Sequence, residues 1–406
     1  MSRIPRLAVR NVGRNRRRSI ITALTIVFGV AMVVTVRGVM FGLQRMMITD
    51  TVEGRLGALQ VHRAGYLDTV DSVPLSLNLP YSDELVARLE RVPHVTGVTG
   101  RIQFNGLVSN GLAQTMFVGR GVDVARELRV CPRVGTTLKP GGTPLGAGDD
   151  TKILLGFELA QSFEVQPGKT VALQTTSPSG RANSMDLTVQ GLSTSAFPFE
   201  NKRVVSVTLP TAQALLGLEG KVTELALAVD DLDQVDEVAA QVRQTLGAEY
   251  EVHTWRELQP FLRDIIARQN FMLGAVATIL LVIVLTSIIN TMLMSVFERV
   301  REIGTLMAVG VRRAQVMSIF LIEAGGIGLL GGLGGALVGR ALVAVLNVVG
   351  IRFELSGLGA VNVLRPMVTW AFVGGAVVVA LVAAVGAALW PAWRASRMNP
   401  VYALRN

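Results

Sequence analysis

The chain has 406 residues, of which 50% are hydrophobic and only 17% are charged, and its mean hydropathy is positive. This composition argues against a water-soluble enzyme and indicates a membrane protein of two or three domains. The net charge of +9 raises the possibility of nucleic-acid binding. However, residues 42–268 carry 21 basic and 26 acidic residues, whereas the rest of the chain carries 18 and 4. The positive charge flanks apolar segments, which fits membrane topology, so we expect no nucleic-acid partner.

The first 18 residues form a basic segment without an acidic residue. Its arginines are Arg3, Arg6, Arg10, Arg14, Arg16, Arg17 and Arg18. We interpret residues 1–18 as a cytoplasmic amphipathic segment on the anionic leaflet, with a plain positive-inside flank as the alternative. Both interpretations place this end of the chain in the cytoplasm.

Residues 19–41 are predicted to form the first membrane span. Residues 20–36 are uncharged, and Arg37 can reach the far interface. A cleaved signal peptide is the competing interpretation, but the apolar run exceeds the roughly 7–15 residues usual for one. We therefore predict an uncleaved anchor.

Residues 42–270 are predicted to form a large periplasmic domain with stalk helices at both ends. Period-two patterns at 58–62, 95–98 and 185–189 predict strands, and helical patterns at 83–91 and 232–246 have acidic residues near their starts. This order predicts an α+β, porter-like domain with a β-rich insertion. The lone Cys131 excludes an internal disulfide and is expected to be partly buried.

Three further spans are predicted after this domain, which gives an α-helical integral membrane protein with four transmembrane helices. The expected segments are a span at 271–297, a cytoplasmic segment at 298–315, a span at 316–346, a short periplasmic loop at 347–366, a span at 367–390 that Pro391 ends, and a cytoplasmic tail at 391–406. The three short inside segments contain 7, 4 and 3 basic residues, against two in the short outer loop. Both termini are therefore predicted to be cytoplasmic.

Several residues within the spans are candidates for helix packing. Asn290 lies at membrane depth and should face protein rather than lipid, and Glu323 should lie near the cytoplasmic interface or turn towards another helix. Glycines at four-residue spacing allow close helix approach, within this subunit or with a second one: Gly328, Gly331, Gly332, Gly335 and Gly339.

The stretch 290–310 leaves an apolar run and becomes charged at residue 298. Val300, Ile303, Met307 and Val311 then follow at helical spacing. Spacing alone leaves two interpretations open: a surface helix that docks a soluble partner, or an ordinary loop between two spans.

The motif Glu298-Arg299-x-x-Glu302-Ile303-Gly304-x-x-x-Ala308-x-Gly310 resembles the coupling helix of the MacB/LolC/FtsX superfamily of ABC transporter permeases. Asn290-Thr291 and the tail Pro391-Ala392-x-x-Ala395-x-x-x-x-Pro400-x-x-Ala403-Leu404 are also similar to that family. Met307 departs from the pattern, which often has Arg or Lys there. The resemblance implies a four-span, type VII mechanotransmission permease without a fused ATPase.

The same resemblance implies partners and site residues. It implies two ABC ATPase subunits, which bind ATP and Mg, and a second permease subunit in a homo- or heterodimer in the bacterial inner membrane. A periplasmic carrier or adaptor protein and membrane lipid are further candidate partners. The expected ATPase-coupling residues are Glu298, Arg299, Arg301 and Glu302 for polar contacts, Gly304 and Gly310 for close approach and helix termination, and Ile303 and Ala308 within the same motif.

No catalytic, cofactor or metal site is predicted in this chain. Residues 166–170 end like a phosphate-binding loop, but Phe163 occupies the position of its first glycine. His62, His94 and His253 are far apart in sequence and lack cysteine or carboxylate at ligand spacing. We therefore expect a non-catalytic permease subunit that serves lipoprotein release or export of a peptide or drug-like molecule. An FtsX-like regulator of an envelope enzyme is the alternative, and an integral-membrane enzyme ranks last.

Overall fold

The computed structural model describes residues 16–134, 138–140, 142–195, 198–354 and 361–398. Residues 1–15 of the predicted basic segment, and Pro400, Ala403 and Leu404 of the tail motif, lie outside the described residues. The chain divides into two compact units. The membrane unit comprises residues 1–45, 265–353 and 361–406, and the α+β unit comprises residues 46–264 and 354–360.

The described helices and strands follow one another in this order. The helices are α1 (Arg16–Thr51), α2 (Asp83–Glu90), α3 (Val124–Val130), α4 (Phe157–Ser162), α5 (Pro198–Arg203), α6 (Leu209–Leu216), α7 (Val235–Leu246), α8 (Trp255–Leu258), α9 (Pro260–Glu298), α10 (Val300–Ala308), α11 (Arg313–Val349) and α12 (Trp370–Ser396). The strands are β1 (Leu59–Arg63), β2 (Leu79–Pro80), β3 (Val95–Ser109), β4 (Gln114–Val122), β5 (Lys152–Gly156), β6 (Thr170–Thr176), β7 (Ala182–Ser193), β8 (Val204–Thr208), β9 (Lys221–Val222), β10 (Glu224–Val229), β11 (Tyr250–Thr254), β12 (Ile351–Glu354) and β13 (Val361–Leu364).

Four of these helices, α1, α9, α11 and α12, are long and apolar enough to cross a membrane. The fold class predicted from the sequence, four membrane helices with a large α+β domain, is confirmed. In α12, exposed Trp370 and Trp390 are 20 residues apart, which corresponds to about 30 Å of helix, the thickness of a bilayer's hydrocarbon core. Tryptophan favours the membrane interfaces, so this spacing supports a full crossing.

Two details of the last span differ from the prediction. The helix begins at Trp370 rather than at 367, where the side chain of Thr369 accepts a hydrogen bond from the amide of Phe372. Pro391 does not end the helix, because α12 continues through Pro391 to Ser396. Ala392 and Ala395 are fully buried in an apolar cluster, and this packing outweighs the cost of a proline within the helix.

The segment expected to be a short periplasmic loop at 347–366 contains regular structure. α11 runs to Val349 and ends at Gly350, which has a φ of +68°. β12 and β13 then pair as a two-stranded sheet, with residues 355–360 between them outside the described residues.

The glycine stripe of α11 packs within this subunit, against two different helices. A Cβ added to Gly331, Gly335 or Gly339 would lie 2.7–2.8 Å from atoms of α1, in Ile26, Val27 and Val34. Gly328 and Gly332 instead face Ala384 and Ala380 of α12. Since such close contacts leave no room for a side chain, these glycines allow α11 to approach both neighbours.

α1 and α9 lie side by side and run antiparallel. The hydroxyls of Thr22 and Thr291 form a buried hydrogen bond of 2.6 Å, and Arg37 donates to Asn270 at 3.2 Å. Asn290, expected to face protein, is exposed in the described chain. Cover for Asn290 would therefore have to come from outside the described part of this subunit.

The α+β unit is built on a nine-stranded sheet in the order β11-β1-β10-β3-β4-β8-β5-β7-β6. β3 also pairs with β6, so the six strands from β3 to β6 form a closed barrel-like sheet. Gly106 makes this closure possible, because a Cβ at this position would collide with the carbonyl oxygen of Gln174 on β6. The closed part corresponds to the β-rich insertion expected from the sequence.

Helices cover the open part of this sheet. α7 packs against β11 through a buried stripe at helical spacing formed by Val235, Val238, Ala239, Val242 and Leu246. α2 starts at the N-cap Ser82 and packs on β3, and α3 packs on β3 and β10. The strands expected at 58–62, 95–98 and 185–189 lie in or overlap β1, β3 and β7.

Candidate functional site

The candidate site is α10, the short helix that follows a bend at the end of α9. Arg299 is the single residue between the two helices, and its backbone angles, φ −112° and ψ 15°, are not helical. Its amide donates to the carbonyl of Val296 at 3.2 Å, and its carbonyl accepts from the amide of Ile303 at 2.9 Å. The chain therefore changes direction at Arg299 while its backbone remains hydrogen-bonded on both sides.

One face of α10 is buried against the membrane unit. Ile303 is 3% exposed and lies in an apolar cluster with Met307 and Val311. The cluster is completed from α11 and α12 by Val316, Phe320, Ala392 and Ala395. Gly304 is also buried. The helical spacing seen in the sequence therefore identifies the side of α10 that packs on the chain itself.

The opposite face of α10 is exposed and mixes charged with apolar residues. Arg301, Glu302 and Ala308 are exposed, and so are Leu306 (39%) and Val309 (81%). Sequence reasoning missed Leu306 and Val309. Glu302, Leu306 and Val309 are spaced by four and three residues, so they share one side of the helix. That side projects from the chain as a candidate docking face.

The end of α10 is defined by Gly310, which has a φ of +95°. The amide of Gly310 donates to Met307, and the amide of Val311 donates to Leu306, both at 3.0–3.1 Å. These two bonds form a Schellman motif, which requires a left-handed residue at Gly310 and favours glycine there.

Arg299, expected to make a polar contact with the ATPase, is buried in this structure. Its side chain is 5% exposed, and its Nη1 lies 3.2 Å from Oε2 of Glu323, which is 4% exposed on α11. In this structure the guanidinium points into the membrane unit, so the expected polar contact between Arg299 and an ATPase stays a prediction. Glu323 turns towards another helix, one of the two positions expected for it.

Glu298 and Arg18 join α9 to α1 at the same end of the membrane unit. Their side chains form an ion pair of 3.0 Å and are partly exposed. Glu298 therefore contributes to the junction of two spans.

The α+β unit contains a buried ionic network centred on Arg101. The Arg101 guanidinium donates to Glu127 at 2.7 and 2.9 Å, to Glu224 at 3.3 Å and to the Sγ of Cys131 at 3.1 Å. Cys131 is fully buried rather than partly buried as expected, and this burial raises its pKa. Burial alone would raise the pKa of Glu224, but hydrogen bonding from His62 and the charge of Arg101 lower it to about 2.

Two of the histidines that are far apart in sequence are close in the structure. The ring centroids of His62 and His253 are 6.1 Å apart, and Nε2 of His62 lies 3.7 Å from Oε2 of Glu224. Long-range strand pairing brings β1 and β11 together, which sequence spacing cannot reveal. Among the residues that the structure describes, no group of three or more His, Cys, Asp or Glu could hold a metal ion.

The near-match to a phosphate-binding loop is a turn between elements of the sheet. Gly168, with φ +91°, donates to the carbonyl of Val189, and Thr170 begins strand β6. A phosphate-binding loop leads into a helix, whose N-terminal amides hold the phosphate. This turn leads into a strand and does not offer that arrangement.

Comparisons with known proteins show which protein family this chain resembles. The family model of the MacB-like periplasmic core domain matches residues 19–245, and that of the FtsX-like permease C-terminal region matches residues 274–400. The chain belongs to the MacB/LolC/FtsX superfamily of ABC transporter permeases. α10, with its buried and exposed faces, lies within the FtsX-like match.

Individual relatives differ in how much of their length they share with this permease. It is 25% identical over 404 residues to the lipoprotein-releasing system transmembrane protein LolC of Xylella fastidiosa strain Temecula1, a match that covers 95% of this chain and 93% of LolC. It is 31% identical over 206 residues to the macrolide export ATP-binding/permease protein MacB of Hyphomonas neptunium, covering 50% of this chain but only 30% of that protein. A crystal structure of the periplasmic region of MacB from Actinobacillus actinomycetemcomitans is 10% identical, with a TM-score of 0.37, and covers 52% of this chain and 94% of that region.

Proposed function

We propose that this permease passes the ATP-driven motion of a separate ATPase through α10 to its membrane helices and its α+β unit. The observation that carries the proposal is that one face of α10 is buried and the opposite face is exposed. Ile303 anchors the helix in the membrane unit, whereas Glu302, Leu306 and Val309 face outwards. A helix held on one side and exposed on the other can be displaced by a partner and can move the helices that hold it.

The composition of the docking face is typical of a surface that binds another protein. Exposed Leu306 and Val309 provide apolar contact area, while Arg301 and Glu302 provide charges of both signs at the edge. Protein interfaces combine an apolar centre with a polar rim in this way. The occupant is an ABC ATPase that binds ATP and Mg, the partner class expected for a permease with an FtsX-like C-terminal region.

The permease pairs with a second permease subunit, identical or related, and each subunit engages one ATPase. Exposed Asn290 supports this pairing, because a polar side chain at membrane depth is costly in lipid and is satisfied by a neighbouring protein. The distribution of basic residues supports a bacterial inner-membrane location with cytoplasmic termini and a periplasmic α+β unit.

The cargo is a lipoprotein released from the membrane, or a peptide or drug-like molecule exported from the periplasm. The two relatives described above are named for lipoprotein release and for macrolide export. A regulatory role, the alternative expected from the sequence, would show a different response: an envelope hydrolase, rather than cargo, would stimulate ATP hydrolysis.

The decisive experiment measures binding of a purified ABC ATPase to the full-length chain in nanodiscs. Substituting both Leu306→Asp and Val309→Asp should weaken binding at least about tenfold, since it places charges in an apolar contact. Leu112→Asp is the matched control, because Leu112 is 96% exposed in the α+β unit. Undiminished ATPase binding by the double variant would overturn the proposal.

A further inference from the structure

The bend between α9 and α10 lies at Arg299. Arg299 is the only residue between the two helices, and its side chain leaves the bend towards α11 rather than towards the surface. The position of α10 relative to the spans is therefore coupled to what this guanidinium contacts.

The guanidinium is held by a buried ion pair. Nη1 of Arg299 lies 3.2 Å from Oε2 of Glu323, and both side chains are at least 95% buried. Separating such a pair leaves each charge buried without its counterion, which is far more costly than separating apolar surfaces of the same size. The pair therefore resists any displacement of α10 relative to α11.

The ion pair borders a small polar cavity that contains a second acceptor. Arg18, Ser19, Thr291, Ser295, Arg299 and Glu323 contribute to its lining. Oγ of Ser295 is buried and has no hydrogen-bond partner in the part of the chain that the structure describes. Ser295 lies four residues before Arg299, about one helical turn, on α9. Arg299 thus has a carboxylate on α11 and a hydroxyl on α9 beside the same cavity.

Apolar contacts between α10 and α11 add to the ion pair. They constrain the orientation of α10 relative to α11 less strictly than the ion pair does. Ile303 packs with Val316 and Phe320 of α11. Contacts of this kind tolerate small sliding movements, whereas a charge-assisted hydrogen bond is directional.

We propose that Arg299 and Glu323 are positioning residues that clamp α10 to α11, so that the third span moves together with the coupling helix. Force then enters the membrane through α11 as well as through α9. The clamp depends on the proposed function in one respect only: the proposed function identifies the protein that displaces α10.

The test measures the distance between spin labels on Thr305 of α10 and Leu337 of α11 in full-length protein in nanodiscs. Both positions are exposed, and the fully buried native Cys131 does not compete for the label. The native pair should give one narrow distance distribution, with and without the ATPase and ATP. Glu323→Gln, which removes the charge at nearly constant size, should at least double the width of the distribution.

Three further variants give the test its controls. The charge exchange Arg299→Glu with Glu323→Arg should restore the narrow distribution, which a purely steric role would not predict. Arg313→Gln removes an exposed charge from the start of α11 and should leave the width unchanged. Should Glu323→Gln fail to fold, the apolar pair Arg299→Met with Glu323→Leu avoids an unpaired buried charge and should show the same broadening.

The outcomes separate the clamp from the proposed function. Equal widths in the native protein and in the variants that lack the ion pair would overturn the clamp, whether or not an ATPase is present. Failure of any ATPase to bind the native chain would overturn the proposed function, while the distances measured without ATPase would still decide the clamp.

Discussion

Arg101 donates a hydrogen bond of 3.2 Å to the carbonyl oxygen of Leu56, the last residue of the turn that follows α1. The same guanidinium binds Glu127 and Glu224. One buried side chain therefore joins the entry of the chain into the α+β unit to its central sheet.

Replacing Arg101 by alanine should be among the most destabilising substitutions in the α+β unit. It leaves two buried carboxylates without their counterion, a change that costs about 3–5 kcal/mol. Thermal unfolding of the full-length protein in detergent measures the loss. Arg88→Ala, at an exposed position of α2, is the control and should change stability by less than about 0.5 kcal/mol. Similar losses in both variants would show that the buried network contributes little.

Acid should destabilise the α+β unit through Glu224. Its pKa is lowered from 4.5 to about 2 in the folded chain, so the unfolded chain binds the proton more readily. The stabilisation is complete above the unfolded pKa and is lost as the pH falls from about 4.5 to about 2, by up to roughly 3 kcal/mol. Unfolding temperatures measured across this window should fall less steeply in Glu224→Gln than in the native protein. Parallel curves would contradict the assignment.

Gly335→Ala should weaken the contact between α1 and α11. A Cβ at this position would lie 2.7 Å from the carbonyl oxygen of Val27, so the helices must separate, at a cost of about 1–3 kcal/mol. Gly326→Ala is the matched control on the same helix, because no atom lies within 4 Å of the added Cβ. Since alanine favours helix, the control should be neutral or slightly stabilising. Thermal stability in detergent compares the two, and equal effects would exclude close packing at Gly335.

Substitutions of Gly310 should rank by their tolerance of a left-handed backbone. Alanine at a φ of +95° should cost about 1 kcal/mol and loosen the end of α10, which weakens ATPase binding about fivefold. Asparagine, which tolerates this region better, should cost less, and valine should cost more. Binding constants for the three variants test the order. A valine variant that binds as well as the native protein would separate the Schellman motif from docking.

The local features of the site could be predicted because they depend on short-range patterns. Helical spacing identified Ile303, Met307 and Val311, and the apolar runs identified the four spans. The spacing did not show what the apolar face of α10 packs against. In the structure this face packs on the chain itself, and Leu306 and Val309 are exposed on the other side. Sequence periodicity shows that two faces exist but not which one meets a partner.

Features that depend on distant partners were not accessible in this way. A charge at Arg299 in a short connection suggests a surface contact, and nothing nearby shows that Glu323, 24 residues later, buries it. The meeting of His62 with His253 likewise depends on the register of β1 and β11. Closure of the barrel-like sheet requires β3 to reach β6 at Gly106, a contact that only the full topology reveals.

The continuity of α9 has a mechanical consequence. From Pro260 to Glu298 it is one helix of 39 residues without an interior proline, and thus about 58 Å long. Pivoting such a rod by ten degrees about its inner tip sweeps its far tip through roughly 10 Å, with no change in any of its internal hydrogen bonds. A rotation of this size at the Glu298 end would displace the Pro260 end by about the diameter of a helix.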